Sequence, residues 1–436
     1  MRRVLQVVAA VLVLSSGTAS AQTTGLSGLL LRFFALDNPI ILLSTGHEAH
    51  FGSQPAAEEA LRQLNRGIAT QISTFPLGSS SSGFTYTFDP ALGVFTRSSD
   101  SFGPIFAERA LTAGKGKLNF GVNYVHATYD TFEGQNLDAG DIQLILTHQD
   151  VNGDSSRLEP YYEGDLIRAN LFLKVSSDTA AFFASYGISD HFDVGLAVPY
   201  VSVKIDARIH ETILPISTGG DSRISHLFPD GALERDVRQT GSAEGIGDIV
   251  LRAKYNFHRG ETLGLAAGAD LRLPTGDENE LLGSGATQAK LYAIASGSGS
   301  TFSPHANIGY TFSWGGSIAT GDLPDEINYT VGFDAALGRR LTLMVDMIGR
   351  TLRNTGRLVV QQKLYDYSRR DDPIVRSVAE PDLQTVEGDL NVILASAGIR
   401  FNPVANLLIS ANALISTGNR GLQDKFTPVV AIDYSF

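Results

Sequence analysis

From Lys117 to the end, this sequence repeats one unit: about ten residues in which apolar and mixed-polarity side chains alternate by twos, then a turn or a loop. Between Ile246 and Phe257, the residues Ile249, Leu251, Ala253, Tyr255 and Phe257 share one face, and Asp248, Arg252, Lys254 and Asn256 share the other. After His258, Arg259 and Gly260, a second run (Leu263, Leu265, Ala267, Ala269, Leu271, Leu273) alternates with Thr262, Gly264, Gly268, Asp270 and Arg272, which makes a hairpin. The form returns in Ile327, Tyr329, Val331, Phe333, Ala335 and Leu337 against Asn328, Thr330, Gly332 and Asp334. Past Gly338 to Arg340 it continues in Leu341, Leu343, Val345 and Met347 against Thr342 and Asp346. One such segment says little; a long series of them describes strands of ~9 to 11 residues, each with one face for lipid and one for a wetter interior.

Further strands are expected over Lys117 to Tyr129, Asp138 to His148, Leu166 to Val175, Thr179 to Tyr186, His191 to Ile209, Ala286 to Ala295, Phe302 to Phe312, Leu390 to Phe401, Leu407 to Ser416 and Phe426 to Phe436. Their connections have two lengths. Turns near His258, Gly297, Gly338 and Asn402 are short; those over Glu211 to Glu244, Pro274 to Gly285, Trp314 to Asp325, Thr351 to Asp389 and Thr417 to Lys425 are long. Short turns at one end and long loops at the other are the arrangement of a membrane barrel. A soluble sandwich or lipocalin-like barrel would instead hide its apolar faces. The expected fold is therefore all-β, a transmembrane antiparallel up-and-down β-barrel of about 12–14 strands over 117–436. Within His191 to Ile209 the apolar phase slips, from Phe192, Val194, Leu196 and Val198 to Val201, Val203 and Ile205, and Pro199 at the slip predicts a bulge.

The two termini agree with a membrane destination. Arg2 and Arg3 precede an apolar run from Val4 to Leu14, and Ala19, Ser20 and Ala21 follow it, the order of a secretory signal peptide cleaved after Ala21. The run is far shorter than the ~20 residues a spanning helix needs. At the other end Val430, Ile432, Tyr434 and Phe436 share a face of the last strand, which resembles the signal read by the outer-membrane assembly machinery of Gram-negative bacteria. The expected partners are that machinery, the lipid bilayer with its lipopolysaccharide, and a small-molecule solute. A mean hydropathy of +0.02 fits a barrel better than helical spans. There is no cysteine, so neither a disulfide framework nor a thiolate metal site is available. Loss of Arg2 and Arg3 leaves 32 basic side chains against 46 acidic ones, a net charge of −14 that disfavours nucleic acid as a partner.

Several short stretches point to a family. The run from Tyr186 to Pro199 (Tyr-Gly-Ile-Ser-Asp-His-Phe-Asp-Val-Gly-Leu-Ala-Val-Pro), then Gly245-Ile246-Gly247-Asp248 with Lys254-Tyr255, then Leu273-Pro274-Thr275-Gly276, resembles the outer-membrane barrel family named after the meta pathway of phenol degradation. The resemblance covers the chain from about Lys117 onward and rests on turn and strand-end patterns without catalytic residues. It implies an outer-membrane channel or transporter for small, often hydrophobic or aromatic, compounds by passive diffusion. A structural or adhesive barrel without transport is the reading of a different class.

Residues 22–116 precede the repeat and fall outside that resemblance. They hold an apolar stretch near Leu29 to Leu43 and a helix expected from Pro55 to Ile72, with Ala57, Ala60, Leu61, Leu64, Ile68 and Ile72 in one stripe. A Gly78 to Gly83 run follows, then Phe84, Tyr86 and Phe88. The expectation is a plug or hatch within the lumen or at its periplasmic mouth, since mid-sized barrels are commonly closed by loops or a helix.

Chemistry-bearing patterns are sparse, and no cofactor or metal is expected. Ser303, His305 and Asn307 share a strand face and carry the groups of an acyl hydrolase, but residues two apart in a strand stand about 6 to 7 Å apart, so a polar lumen ladder is the better reading. Asp277, Glu278 and Glu280, and Asp366, Arg369, Arg370, Asp371 and Asp372, read as solvated loop charge. The lumen-lining candidates are Asp248, Arg252, Lys254, Asp270, Arg272, Lys290, His305, Asn307, Asp334 and Asp346; both signs are present, which predicts no strong ion selectivity.

Overall fold

A computed structural model describes residues 25–34, 42, 51, 54–79, 83–89, 94–97, 101–148, 164–219, 226–260, 262–297, 299, 301–317, 321–369 and 372–436. The expected signal peptide over 1–21, and Arg370 and Asp371 of the charged loop, lie outside the described residues.

The main strands are β1 (Leu118–Tyr129), β2 (Ile142–Thr147), β3 (Leu166–Gly187), β4 (Phe192–Leu214), β5 (Glu234–Ile246), β6 (Ile249–Arg259), β7 (Leu263–Leu273), β8 (Thr287–Gly297), β9 (Phe302–Trp314), β10 (Glu326–Ala336), β11 (Leu341–Leu352), β12 (Arg357–Arg369), β13 (Asp372–Val386), β14 (Leu390–Phe401), β15 (Leu407–Ser416) and β16 (Thr427–Ser435). Twelve of them form a closed antiparallel ring in the order β3-β1-β16-β15-β14-β11-β10-β9-β8-β7-β6-β4, and β4 pairs back onto β3. The last strand meets the first, from Val429 opposite Val125 to Ser435 opposite Asn119. Closure leaves no ladder edge facing hydrocarbon, where an unpaired peptide group costs several kcal/mol.

Alternation then sorts the side chains. Leu251, Leu291, Ile308, Val331, Ile399, Ile409 and Ile432 point outward and are exposed. Phe120, Tyr186, Phe257, Phe302 and Phe401 ring the short-turn end, and Tyr200, Phe312 and Trp314 the long-loop end, as aromatic girdles do at the two interfaces.

Two of the expected strands are one. Leu166 to Val175 and Thr179 to Tyr186 form the single 22-residue β3, because the polar Ser177 and Asp178 between them need no turn. Ser177 bonds the Tyr129 hydroxyl at 3.2 Å, and Asp178 accepts from Tyr124 at 2.6 Å and faces His126 at 2.8 Å. The expected loops over 211–244 and 351–389 contain the strand β5 and the hairpin β12–β13. These strands lie outside the twelve-stranded ring and lack a lipid-facing apolar row, so the period-two signal was faint there.

β3 and β4 outrun the ring, and β2 and β5 flank their far halves to make a projecting four-stranded sheet. This explains the slip near Pro199. The β3–β4 register is unbroken from Gly187↔Asp193 to Leu166↔Leu214. What changes is the surroundings: Leu196 and Tyr200 face lipid, whereas Val201, Val203, Ile205, Ala207 and Ile209 point inward and pack under the N-terminal segment. The expected bulge lies on the facing strand instead, at Gly247 and Asp248 between β5 and β6, where the Gly247 N–H donates to the Pro199 carbonyl at 2.8 Å.

Helix α1 (Pro55–Ser73) starts with a proline at a position whose N–H has no helical partner. Its buried stripe of Leu61, Leu64, Ile68 and Ile72 joins Leu26, Leu30 and Phe33 and the inward apolar row of β4 in the largest core of the molecule. α1 sits at the long-loop end, where Gln71 Oε1 accepts from the Leu422 N–H at 2.8 Å and Gln54 Nε2 donates to the Thr147 carbonyl at 2.9 Å. The expectation places a plug within the lumen or at its periplasmic mouth; the helix lies at the long-loop mouth. From there 74–79 descend into the ring, and 101–113 cross it near the short-turn end before the chain enters β1 at Leu118.

Candidate functional site

The inward faces of β6 to β11 and β14 project the charges that period-two alternation assigns to them, and the N-terminal segment meets most of these. Near the short-turn end, Arg109 pairs with Asp334, both fully buried. His305 stands between two carboxylates, 2.6 Å from Asp346 and 3.4 Å from Asp334. Arg400 donates to the carbonyls of Phe102 at 2.6 Å and Gly103 at 3.2 Å. Lys254 Nζ donates to the carbonyls of Arg109 and Leu111 at 3.1 and 3.0 Å, and Asn256 to that of Ala110 at 2.7 Å. Asn307 clamps Glu108 twice, accepting from its N–H at 2.7 Å and donating to its carbonyl at 2.9 Å. A chain without helix or strand would bury unpaired backbone groups; here the barrel wall supplies the partners.

Above this layer lies a cavity of about 150 Å³. One side is 74–79 with Phe106 and Glu108, and the other is the wall of β6 to β11, including Arg252, Asp270, Arg272, Lys290, Glu326 and Arg350. Arg252 lies 3.7 Å from Glu108 and 3.5 Å from Asp270, and Arg350 lies 2.9 Å from Glu326. Arg272 and Arg350 also hold the end of α1, donating to the carbonyls of Ser73 and Thr74 at 2.8 and 2.9 Å. A second cavity of about 280 Å³ lies at the long-loop end between Gln63, Arg66 and Thr70 of α1 and residues 352–358.

The ten candidates thus divide. Arg252, Asp270, Arg272, Lys290 and Asn307 line the 150 Å³ cavity. Lys254 grips the crossing segment, and His305, Asp334 and Asp346 form the buried cluster around Arg109. Asp248 serves the loop after β7, accepting from the N–H groups of Gly276 at 3.1 Å and Ser284 at 2.8 Å and from the Ser284 hydroxyl at 2.7 Å. Ser303, His305 and Asn307 make no series: Ser303 bonds the Gly299 carbonyl, His305 the aspartates and Asn307 the backbone of Glu108. Of the charges expected in loops, Glu280 accepts from the Leu26 N–H, whereas Asp366 lies in β12 and accepts from the Ser377 hydroxyl of β13. Val430, Ile432, Tyr434 and Phe436 all point outward, with the Phe436 ring 4.7 Å from Tyr434 and 5.9 Å from Phe120.

Sequence reasoning missed Glu108, Arg109, Glu326, Arg350 and Arg400. Arg400 was findable, since it stands between the outward Ile399 and Phe401. Glu108 and Arg109 carry no periodic signal, because their segment follows the shape of the lumen.

Among solved structures, the chain is similar to an outer membrane channel from Pseudomonas putida F1, at 12% identity over 76% of this chain and 100% of that one, with a TM-score of 0.45. It is similar to a Pseudomonas aeruginosa FadL homologue at 12% identity, over 74% of this chain and 90% of that one, with a TM-score of 0.31. The Ralstonia pickettii toluene transporter TbuX gives 12% identity over 74% and 90%, with a TM-score of 0.28. No curated protein matches the chain. Residues 167–345, from β3 into β11, match the family described as "Putative MetA-pathway of phenol degradation", and over that span the resemblance read from the turn and strand-end motifs is shown.

Proposed function

We propose that this protein is an outer-membrane channel for small hydrophobic or aromatic molecules, and that its own N-terminal segment closes it in the conformation described. The supporting observation is the crossing of the lumen by 101–113, held to inward charged and polar groups of the wall by Arg109–Asp334, Lys254, Asn256 and Arg400. Buried charges that grip a single non-repetitive strand of chain can release it as a unit, whereas a barrel with a purely structural role needs only a packed interior. The family matched over 167–345 and the toluene transporter among the similar structures support the solute class. Passage would be diffusive, as the family resemblance implies. The outward Val430, Ile432, Tyr434 and Phe436 would be the strand read by the assembly machinery, with lipid and lipopolysaccharide around the finished barrel.

Planar-bilayer conductance tests the reading. The full chain should give small or gated openings, and a chain lacking 22–116 larger ones. Equal conductance removes the closing role, and no solute passage through either form in liposome swelling leaves the structural or adhesive reading.

A further inference from the structure

The lining of the 150 Å³ lumen cavity has unequal charges. Each of its three carboxylates is engaged: Glu108 with Arg252 and Lys254, Asp270 with Arg252 and the Tyr292 hydroxyl, Glu326 with Arg350. Two of its cations are not so engaged. Among the described residues neither Arg272 nor Lys290 has a carboxylate within ion-pair distance. Arg272 spends one N–H on the Ser73 carbonyl. Lys290 is directly opposite Asp270 in the β7–β8 ladder, yet its Nζ lies over the Tyr292 ring, 4.9 Å from the centroid. An ammonium drawn out of bulk water is costly without a full counter-charge, and Asp270 across from it is already shared with Arg252 and the Tyr292 hydroxyl, so the site favours an anionic guest.

The remaining wall sets the guest's shape. Pro76, Leu77 and Phe106 of the N-terminal segment make an apolar side opposite the charged wall, and Val250 and Ile348 extend it at the two edges of that wall, on β6 and β11. A void of about 150 Å³ is the size that accepts one benzene ring. Resting on the channel reading above, we infer that this cavity binds a single-ring aromatic carboxylate, its ring against the apolar side and its carboxylate at Lys290 and Arg272. Tyr292, with its hydroxyl given to Asp270, leaves its ring face beside Lys290 and keeps that ammonium aimed into the cavity.

Equilibrium dialysis of the detergent-solubilised full chain against benzoate, benzyl alcohol and acetate tests this. Benzoate should bind saturably, and Lys290→Met should weaken it by about tenfold or more, as loss of one charge-assisted contact does. Lys290→Arg should retain binding and shows that the position tolerates a change. Unaltered benzoate binding by Lys290→Met, or benzyl alcohol bound as well as benzoate, overturns the anionic assignment; acetate bound as well as benzoate overturns the ring. Chloride conductance of the same preparations separates this from the parent reading. Conductance of the full chain or of the form lacking 22–116 without benzoate binding sinks the inference alone, and no conductance from either form sinks the channel.

Discussion

Asp334 is a position at which the proposed closing role of 101–113 can be tested by a single change. Its carboxylate is fully buried, pairs with Arg109 from the crossing segment and lies 3.4 Å from His305. In Asp334→Ala, Arg109 keeps its bond to the Ser101 carbonyl at 3.3 Å but has no other carboxylate within ion-pair distance among the described residues. Leaving one member of a buried pair uncompensated costs ~3–5 kcal/mol. The barrel ladder is unaffected, because Asp334 contributes to it through the backbone, so this cost falls on the docking of 101–113. At about 1.4 kcal/mol per factor of ten, the docked fraction relative to the undocked falls by roughly two to three and a half orders of magnitude. Single-channel recording of Asp334→Ala should show openings far more frequent than in the parent. The double change Asp334→Leu with Arg109→Met should return toward the quiet parent trace, since replacing a buried pair by apolar groups of similar volume is often neutral. An Asp334→Ala trace like the parent's, or a double variant as open as the single one, would refute the idea that this pair holds the segment.

Leu64 is fully buried in the stripe of α1, so Leu64→Ala should weaken the docking of that helix by ~2–5 kcal/mol, read as lost hydrogen-exchange protection over 55–73 with the ring strands unchanged. Ile432 faces outward in the closing strand, and Ile432→Arg should cost ~2–4 kcal/mol in urea titrations of the vesicle-inserted barrel if it lies near the bilayer midplane; no loss there would place that face out of lipid. A Cβ on Gly187 would stand 2.0 Å from the Gly114 carbonyl, so Gly187→Ala should push 113–116 aside at a cost of ~1–3 kcal/mol and speed tryptic cleavage at Lys115 and Lys117. Removing Phe436 should lower the yield of folded barrel in outer membranes while refolding into detergent stays the same; equal loss in both would make its role stability rather than recognition.

What could be read from the sequence follows from where each strand runs. Wherever a strand crosses lipid, one face is held to apolar side chains and the other is free, and strands such as Ile249–Arg259 and Leu341–Leu352 announce themselves. Once a strand leaves lipid the rule relaxes in two ways. β5 carries Arg235, Arg238 and Asp236 on open faces, paired with Glu211, Asp206 and Arg208, and reads as a loop. The far half of β4 keeps apolar residues but moves them to the other face, because its partner there is α1 and 25–34 instead of acyl chains. The phase slip at Pro199 therefore marks the passage of a continuous strand out of the bilayer. The site was legible to the same degree: the wall's charges follow from alternation, whereas Glu108 and Arg109 sit in a segment whose conformation is set by that wall, and no local pattern encodes a shape imposed from outside.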